Sequence, residues 1–128
     1  MCFIPKRKNS IRLKIARKNI TCYKIVYKSE MSEDTVISYI YKHEYVIGGL
    51  YETIIGIRRP NATEQNVIVE SGFHSYRSKP NPKSLDYDEF IATCTIPKGA
   101  IYVRNKYEYV SSHIIINEVM KKNAKKVW

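Results

Sequence analysis

No apolar stretch in this chain approaches the ~20 residues needed to cross a bilayer, and residues 1–10 carry Pro5, Lys6, Arg7 and Lys8 where a signal peptide needs an apolar run. Cysteine is scarce: Cys2, Cys22 and Cys94 are an odd number at wide spacings, which excludes the dense disulfide framework of a small secreted domain. No CxxC or HxxxH spacing occurs, and His43-Glu44, His74 and His113 are scattered, so a structural zinc site is not expected. Cys22 and Cys94 fall in expected strand centres, where cysteine ordinarily packs as a small hydrophobe rather than a nucleophile. Asp86, Asp88 and Glu89 read as acids at a helix start rather than a catalytic carboxylate pair. Gly/Ser-rich linkers and internal repeats are also missing. These absences give an expectation of one domain in a reducing cytoplasm, with no metal, no cofactor, no membrane contact and no catalytic residues.

What the chain has is tyrosine and positive charge. Eleven tyrosines stand against three phenylalanines, and a large side chain with one wet end suits half-buried strands and binding faces alike. The net charge of +10 is unevenly spread. Residues 1–30 hold nine Lys/Arg and one acid, whereas residues 31–70 hold three basic and six acidic side chains. Basic ends around a mildly acidic middle favour acidic partners, among them nucleotides, nucleic acid held by weak electrostatics alone, or an acidic protein face. The same excess also keeps a small domain soluble.

The hydrophobic pattern is that of strands. Ile11, Leu13 and Ile15 alternate with Arg12 and Lys14. Residues 20–27 predict a stronger strand, with Tyr23, Ile25 and Tyr27 on one face and Cys22, Lys24 and Val26 on the other. Further strands are expected at 35–41, 53–57, 66–70, 90–96, 100–104 and 109–116, and Gly48-Gly49 predicts a bend or bulge inside an apolar run. Pro80 and Pro82 make 77–84 an extended loop. Residues 84–89 predict one helical turn capped by Ser84, and 118–128 a short, fraying basic helix. The expected fold class is therefore α+β, mainly antiparallel β with a few short helices, as one globular domain over residues 1–117 followed by a basic tail at 118–128.

Two local groups stand out as ligand-binding candidates. Gly72-Phe73-His74-Ser75-Tyr76-Arg77 places His74 and Tyr76 on one face of a short strand and Phe73 and Ser75 on the other. A glycine for close backbone approach, a tyrosine for stacking and an arginine for phosphate are the components of a nucleotide site. Arg58-Arg59, before Pro60, is a second phosphate-gripping candidate. Each has an ordinary alternative: a buried Phe73 among solvated neighbours, and a solvated arginine pair.

Read end to end, the chain resembles a group of small uncharacterised proteins of gut Bacteroidetes and their phages. The carriers are Met1-Cys2, Ile20-Thr21-Cys22-Tyr23-Lys24-Ile25-Val26, Ile47-Gly48-Gly49-Leu50-Tyr51, Gly72-Phe73-His74-Ser75-Tyr76, Cys94-Thr95-Ile96-Pro97-Lys98-Gly99-Ala100-Ile101-Tyr102, Val110-Ser111-Ser112 and Ile114 to Ile116. A fainter similarity is to ADP-ribosyltransferase-like folds. There Tyr23-Lys24 matches an aromatic–basic pair on a first strand, and Gly72 to Ser75 matches a later Gly–aromatic–His–hydroxyl run. Lys24 stands where a transferase carries arginine, and Glu108 and Glu118 are only loosely placed for its acidic site. That resemblance implies a degenerate form of the fold and binding rather than transfer, with Tyr23 and Lys24 joining the candidate ligand residues. The expected function is a small phage-type intracellular binding protein that counteracts host defence by holding a nucleotide or ADP-ribose-like signal, or by blocking an acidic host protein. The alternatives are a degenerate ADP-ribose or NAD enzyme and an electrostatic nucleic-acid-associated protein.

Overall fold

Alternation along Ile20–Lys28 builds the centre of the molecule: Cys22, Lys24 and Val26 are buried, while Tyr23, Ile25 and Tyr27 are half-buried on the opposite face. The computed structural model describes residues 13–29, 34–38, 43–58 and 68–120. Within them the strands are β1 (Lys14–Ile15), β2 (Ile20–Lys28), β3 (Thr35–Ser38), β4 (Glu44–Val46), β5 (Leu50–Glu52) and β6 (Gly56–Arg58). They continue as β7 (Ile68–Ser71), β8 (Phe73–Tyr76), β9 (Glu89–Ile96), β10 (Ile101–Arg104), β11 (Glu108–Ser111) and β12 (His113–Met120).

Every pairing is antiparallel, and ten strands share one sheet whose main path runs β1-β10-β11-β8-β2-β9-β12-β5. β3 pairs β2 and β4, and β6 with β7 forms a separate hairpin. Only Ser112 separates β11 from β12, so the path β8-β2-β9-β12 returns to β8 through β11 and curls the sheet on itself. The concave side holds the main core: Cys22, Val26, Cys94, Ile96, Ile114 and Ile116 are completely buried, with Tyr45, Tyr51, Phe73, Phe90 and Tyr109 packed around them. Val103, Val110 and Ile55 make a second, smaller cluster.

Gly48 and Gly72 stand where the backbone needs glycine. Gly48 takes φ +89° in the β4–β5 connection, matching the expected bend. Gly72, between β7 and β8, has φ +137°, and a Cβ there would meet Val110 Cγ1 at 2.3 Å.

The α+β expectation is corrected. Among the described residues the sole helical element is a single 3-10 turn at Pro82–Ser84, so the fold is all antiparallel β, and the ADP-ribosyltransferase-like form of the expectation falls with its helices. The turn begins where Asn81 accepts from the Lys83 N–H, ahead of the position expected. Asp86 and Asp88 open no helix, since the Glu89 carboxylate caps the Asp86 N–H at 2.8 Å from the start of β9. The tail expectation fails over 118–120 as well. β12 runs through Met120, pairing Val119 with Ala92 and Met120 with Ile91. A bulge between Ile116 and Glu118 breaks the alternation that would have marked this strand in the sequence. Residues 121–128 lie outside the described residues. No helix of the described residues is long and apolar enough to cross a membrane.

Candidate functional site

β8 is short, but it joins the two halves of the sheet. It meets β2 at the pair Tyr23–Tyr76 and lies along β11 with Tyr76 opposite Glu108 and His74 opposite Val110. Directly opposed residues of antiparallel strands share a face. Extending the register through Tyr23–Thr93 and Thr93–Glu118 produces one row across five strands: Glu118, Thr93, Tyr23, Tyr76 and Glu108. Glu118 is exposed and the other members are half-buried, so this row lies on the convex face. The row sets two tyrosines side by side between Thr93 and Glu108, with Glu118 at its far end. The two acids only loosely placed by sequence are its ends.

His74 shares this face. Its ring Nδ1 lies 4.0 Å from Glu108 Oε2, and its side chain is only 9% exposed. Burial, with the Lys24 charge adding to it, holds the imidazole down at about 4, so it is neutral at physiological pH. Burial also raises the Glu108 carboxyl above its ordinary value. The pair is thus a neutral ring beside a carboxyl that burial holds above its ordinary pKa.

Lys24 and Ser75 point the other way, into the core. The Lys24 amine donates to the His74 carbonyl, and it lies 5.5 Å from the Tyr45 ring centre. Desolvation pushes its pKa below the ordinary value, against the pull of Cys94 and Cys22. Cys22 and Cys94 are direct cross-strand partners, both free and both completely buried. The Cys94 thiol, followed by Ser75 and Lys24, lowers the pKa of Cys22, while the Cys22 sulfur and burial raise that of Cys94. Burial raises the Tyr45 hydroxyl to about 12, so it is protonated.

Arg77 leaves β8 and clasps the β10–β11 turn. Its Nη1 donates to the carbonyls of Asn105 at 2.7 Å and Lys106 at 3.3 Å, and its guanidinium lies 5.7 Å from the Tyr109 ring centre. These bonds engage one nitrogen of a fork that carries five donors. The site residues read from sequence therefore divide. Tyr23, His74 and Tyr76 meet on the convex face, Arg77 turns to the Tyr109 side at the β10–β11 turn, and Lys24 and Ser75 line the core behind them. Arg58 lies in β6, and Arg59 lies outside the described residues.

A further polar chain was not anticipated. Ser112 Oγ accepts from the Ile101 N–H at 2.9 Å and lies 2.7 Å from His113 Nδ1, whose Nε2 lies 3.1 Å from Glu52 Oε2. The residue types are those of a nucleophilic triad, but Ser112 is 6% exposed and its oxygen already serves the backbone of β10. Its role is to hold the bend between β11 and β12. Sequence alone gave no sign of Glu52, which is 61 residues from its histidine. Among the described residues no cluster of His, Cys, Asp or Glu is arranged to hold a metal. No protein-family model, no curated protein and no solved structure matches this chain.

Proposed function

We propose that this protein is a small, non-catalytic binding module that holds a nucleoside-containing ligand on the convex face of β2, β8 and β11. The observation carrying this reading is the Tyr23–Tyr76 cross-strand pair in register with Glu108. Base stacking on an aromatic ring is worth ~1–3 kcal/mol per base. A carboxylate beside that platform accepts from the two hydroxyls of a ribose. Phosphates then extend towards the β10–β11 turn, which Arg77 clasps. In this reading Lys24 and Ser75 support the site from behind, and a phage-type protein acting in the cytoplasm sequesters a nucleotide-derived defence signal without turning it over.

Calorimetry with ADP-ribose, NAD and cyclic nucleotides tests the proposal. At least one is expected to bind with heat that is lost in Tyr76→Ala and weakened at least tenfold in Glu108→Gln, with both variants folded. Mass spectrometry after incubation is expected to return the ligand unchanged. Silence from every nucleotide sinks the ligand class and favours the blocking of an acidic host protein. Product formation moves the protein to the enzyme class.

A further inference from the structure

The two cysteines of the core are placed as a reacting pair. Cys22 and Cys94 stand directly opposite one another in the β2–β9 ladder, 72 residues apart in the chain. Opposed residues of an antiparallel pair have Cα atoms ~4.5–5.5 Å apart, inside the ~4.4–6.8 Å span that a disulfide bridges. Their Cβ atoms, at ~4.5–5.5 Å, need approach only slightly to reach the ~3.5–4.5 Å of a bonded pair. Both sulfurs face the core and are completely buried. Here the Lys24 amine, two residues along the same strand face, and the Ser75 hydroxyl on β8 border them. A buried ammonium is costly, and a neighbouring thiolate offsets that cost.

We propose that Cys22 and Cys94 form a reversible cross-strand disulfide on exposure to hydrogen peroxide, with Cys22 as the attacking sulfur, Cys94 as the resolving sulfur and Lys24 as the proton carrier. Cys22 passes its proton to the Lys24 amine, and the thiolate attacks one peroxide oxygen. The O–O bond breaks, and the departing hydroxide takes the proton from Lys24 and leaves as water. Cys22 is then a sulfenic acid. Cys94 attacks the Cys22 sulfur, the S–O bond breaks, and the second hydroxide leaves as water with the Cys94 proton. In total two thiols lose two electrons and two protons, and one peroxide is reduced to two waters. Because both sulfurs are completely buried, the oxidant reaches them through local opening of the sheet, and the closed bond lies where bulk thiols reach it slowly.

The test treats folded protein with hydrogen peroxide, quenches it, denatures it without reductant and alkylates it with N-ethylmaleimide before intact-mass and peptide analysis. Wild type is expected to lose two hydrogens, keep Cys2 as the alkylated thiol and yield a Cys22–Cys94 linked peptide that dithiothreitol separates. Cys2→Ser is expected to crosslink at the wild-type rate, Cys22→Ser and Cys94→Ser to form no intramolecular bond, and Lys24→Met to crosslink at least tenfold more slowly while remaining folded by circular dichroism. Crosslinking of Lys24→Met at the wild-type rate removes the lysine from the proposal. Three alkylated thiols after peroxide, a bond to Cys2, or crosslinking confined to denatured protein overturns it outright.

Discussion

The substitution of a single atom group decides much at β8. Gly72 has φ +137°, a conformation that side chains rarely adopt, and a methyl there would sit 2.3 Å from Val110 Cγ1. Gly72→Ala is therefore expected to destabilise by about 2–3 kcal/mol in urea unfolding, and an effect below half a kcal/mol would contradict the packing described. His74 yields a pH prediction. Its imidazole titrates near 6.5 when unfolded and at about 4 in the fold. Between those values the unfolded chain binds a proton that the folded chain refuses, so stability falls as pH drops through the window and is fully present above it. The expected loss is about 2 kcal/mol, less than the whole shift implies because the ring keeps some contact with solvent. Glu108, with its raised pKa, acts in the opposite sense. Unfolding at several pH values should show the slope in wild type and lose most of it in His74→Gln. The sequence singles out His74 and Tyr76 because glycine, aromatic and histidine side chains are conspicuous locally, and Tyr23 only through the ADP-ribosyltransferase-like resemblance. It could not join Glu108 and Glu118 to them, since that row exists only through pairings across five strands.

Among the elements, the strands were legible wherever alternation was clean. The 20–27 pattern became β2, and the 90–96 run became β9 with one further residue at its start. Helix was expected where polar residues lack that alternation, at 84–89 and 118–128. In the first, side-chain caps from Asn81 and Glu89 satisfy the turn without a helix. Over 118–120 the bulge hides a strand, and Thr95 Oγ1 reaches the Asn117 carboxamide at 2.7 Å to hold it. The expected single strand at 109–116 is instead two, bent at Ser112. Ser112→Ala leaves the Ile101 N–H without its side-chain acceptor and breaks the link to His113. A loss of about 1–2 kcal/mol follows from one buried donor left unmet. Esterase substrates should remain unhydrolysed by wild type and variant alike, and hydrolysis by wild type alone would reassign the serine. At the sheet margin β1 exposes Leu13 and Ile15, 56% and 68% accessible. Edge strands of this kind promote association, so Ile15→Lys is expected to lower light scattering at high concentration and leave stability within about 0.5 kcal/mol.

For the whole molecule, the charge of +10 is a property that sequence reports without help from the fold. It predicts weak binding to nucleic acid that collapses between about 50 and 200 mM salt in a filter or anisotropy assay, and submicromolar affinity persisting at the higher salt would promote a nucleic-acid role over the nucleoside site. The curled sheet has a temporal consequence. β2 acquires its full-length neighbour only when β9 arrives some 70 residues later, and β9 in turn needs β12. A chain emerging from a ribosome thus carries β2 with only its partial pairings to β3 and β8 through much of synthesis, and an all-β topology closed by such distant partners refolds in ~milliseconds to seconds rather than microseconds. A chain cut just before β9 should fail to protect the β2 amides from hydrogen exchange, whereas one cut after Met120 should protect them, so that strands made late admit β2 to the fold.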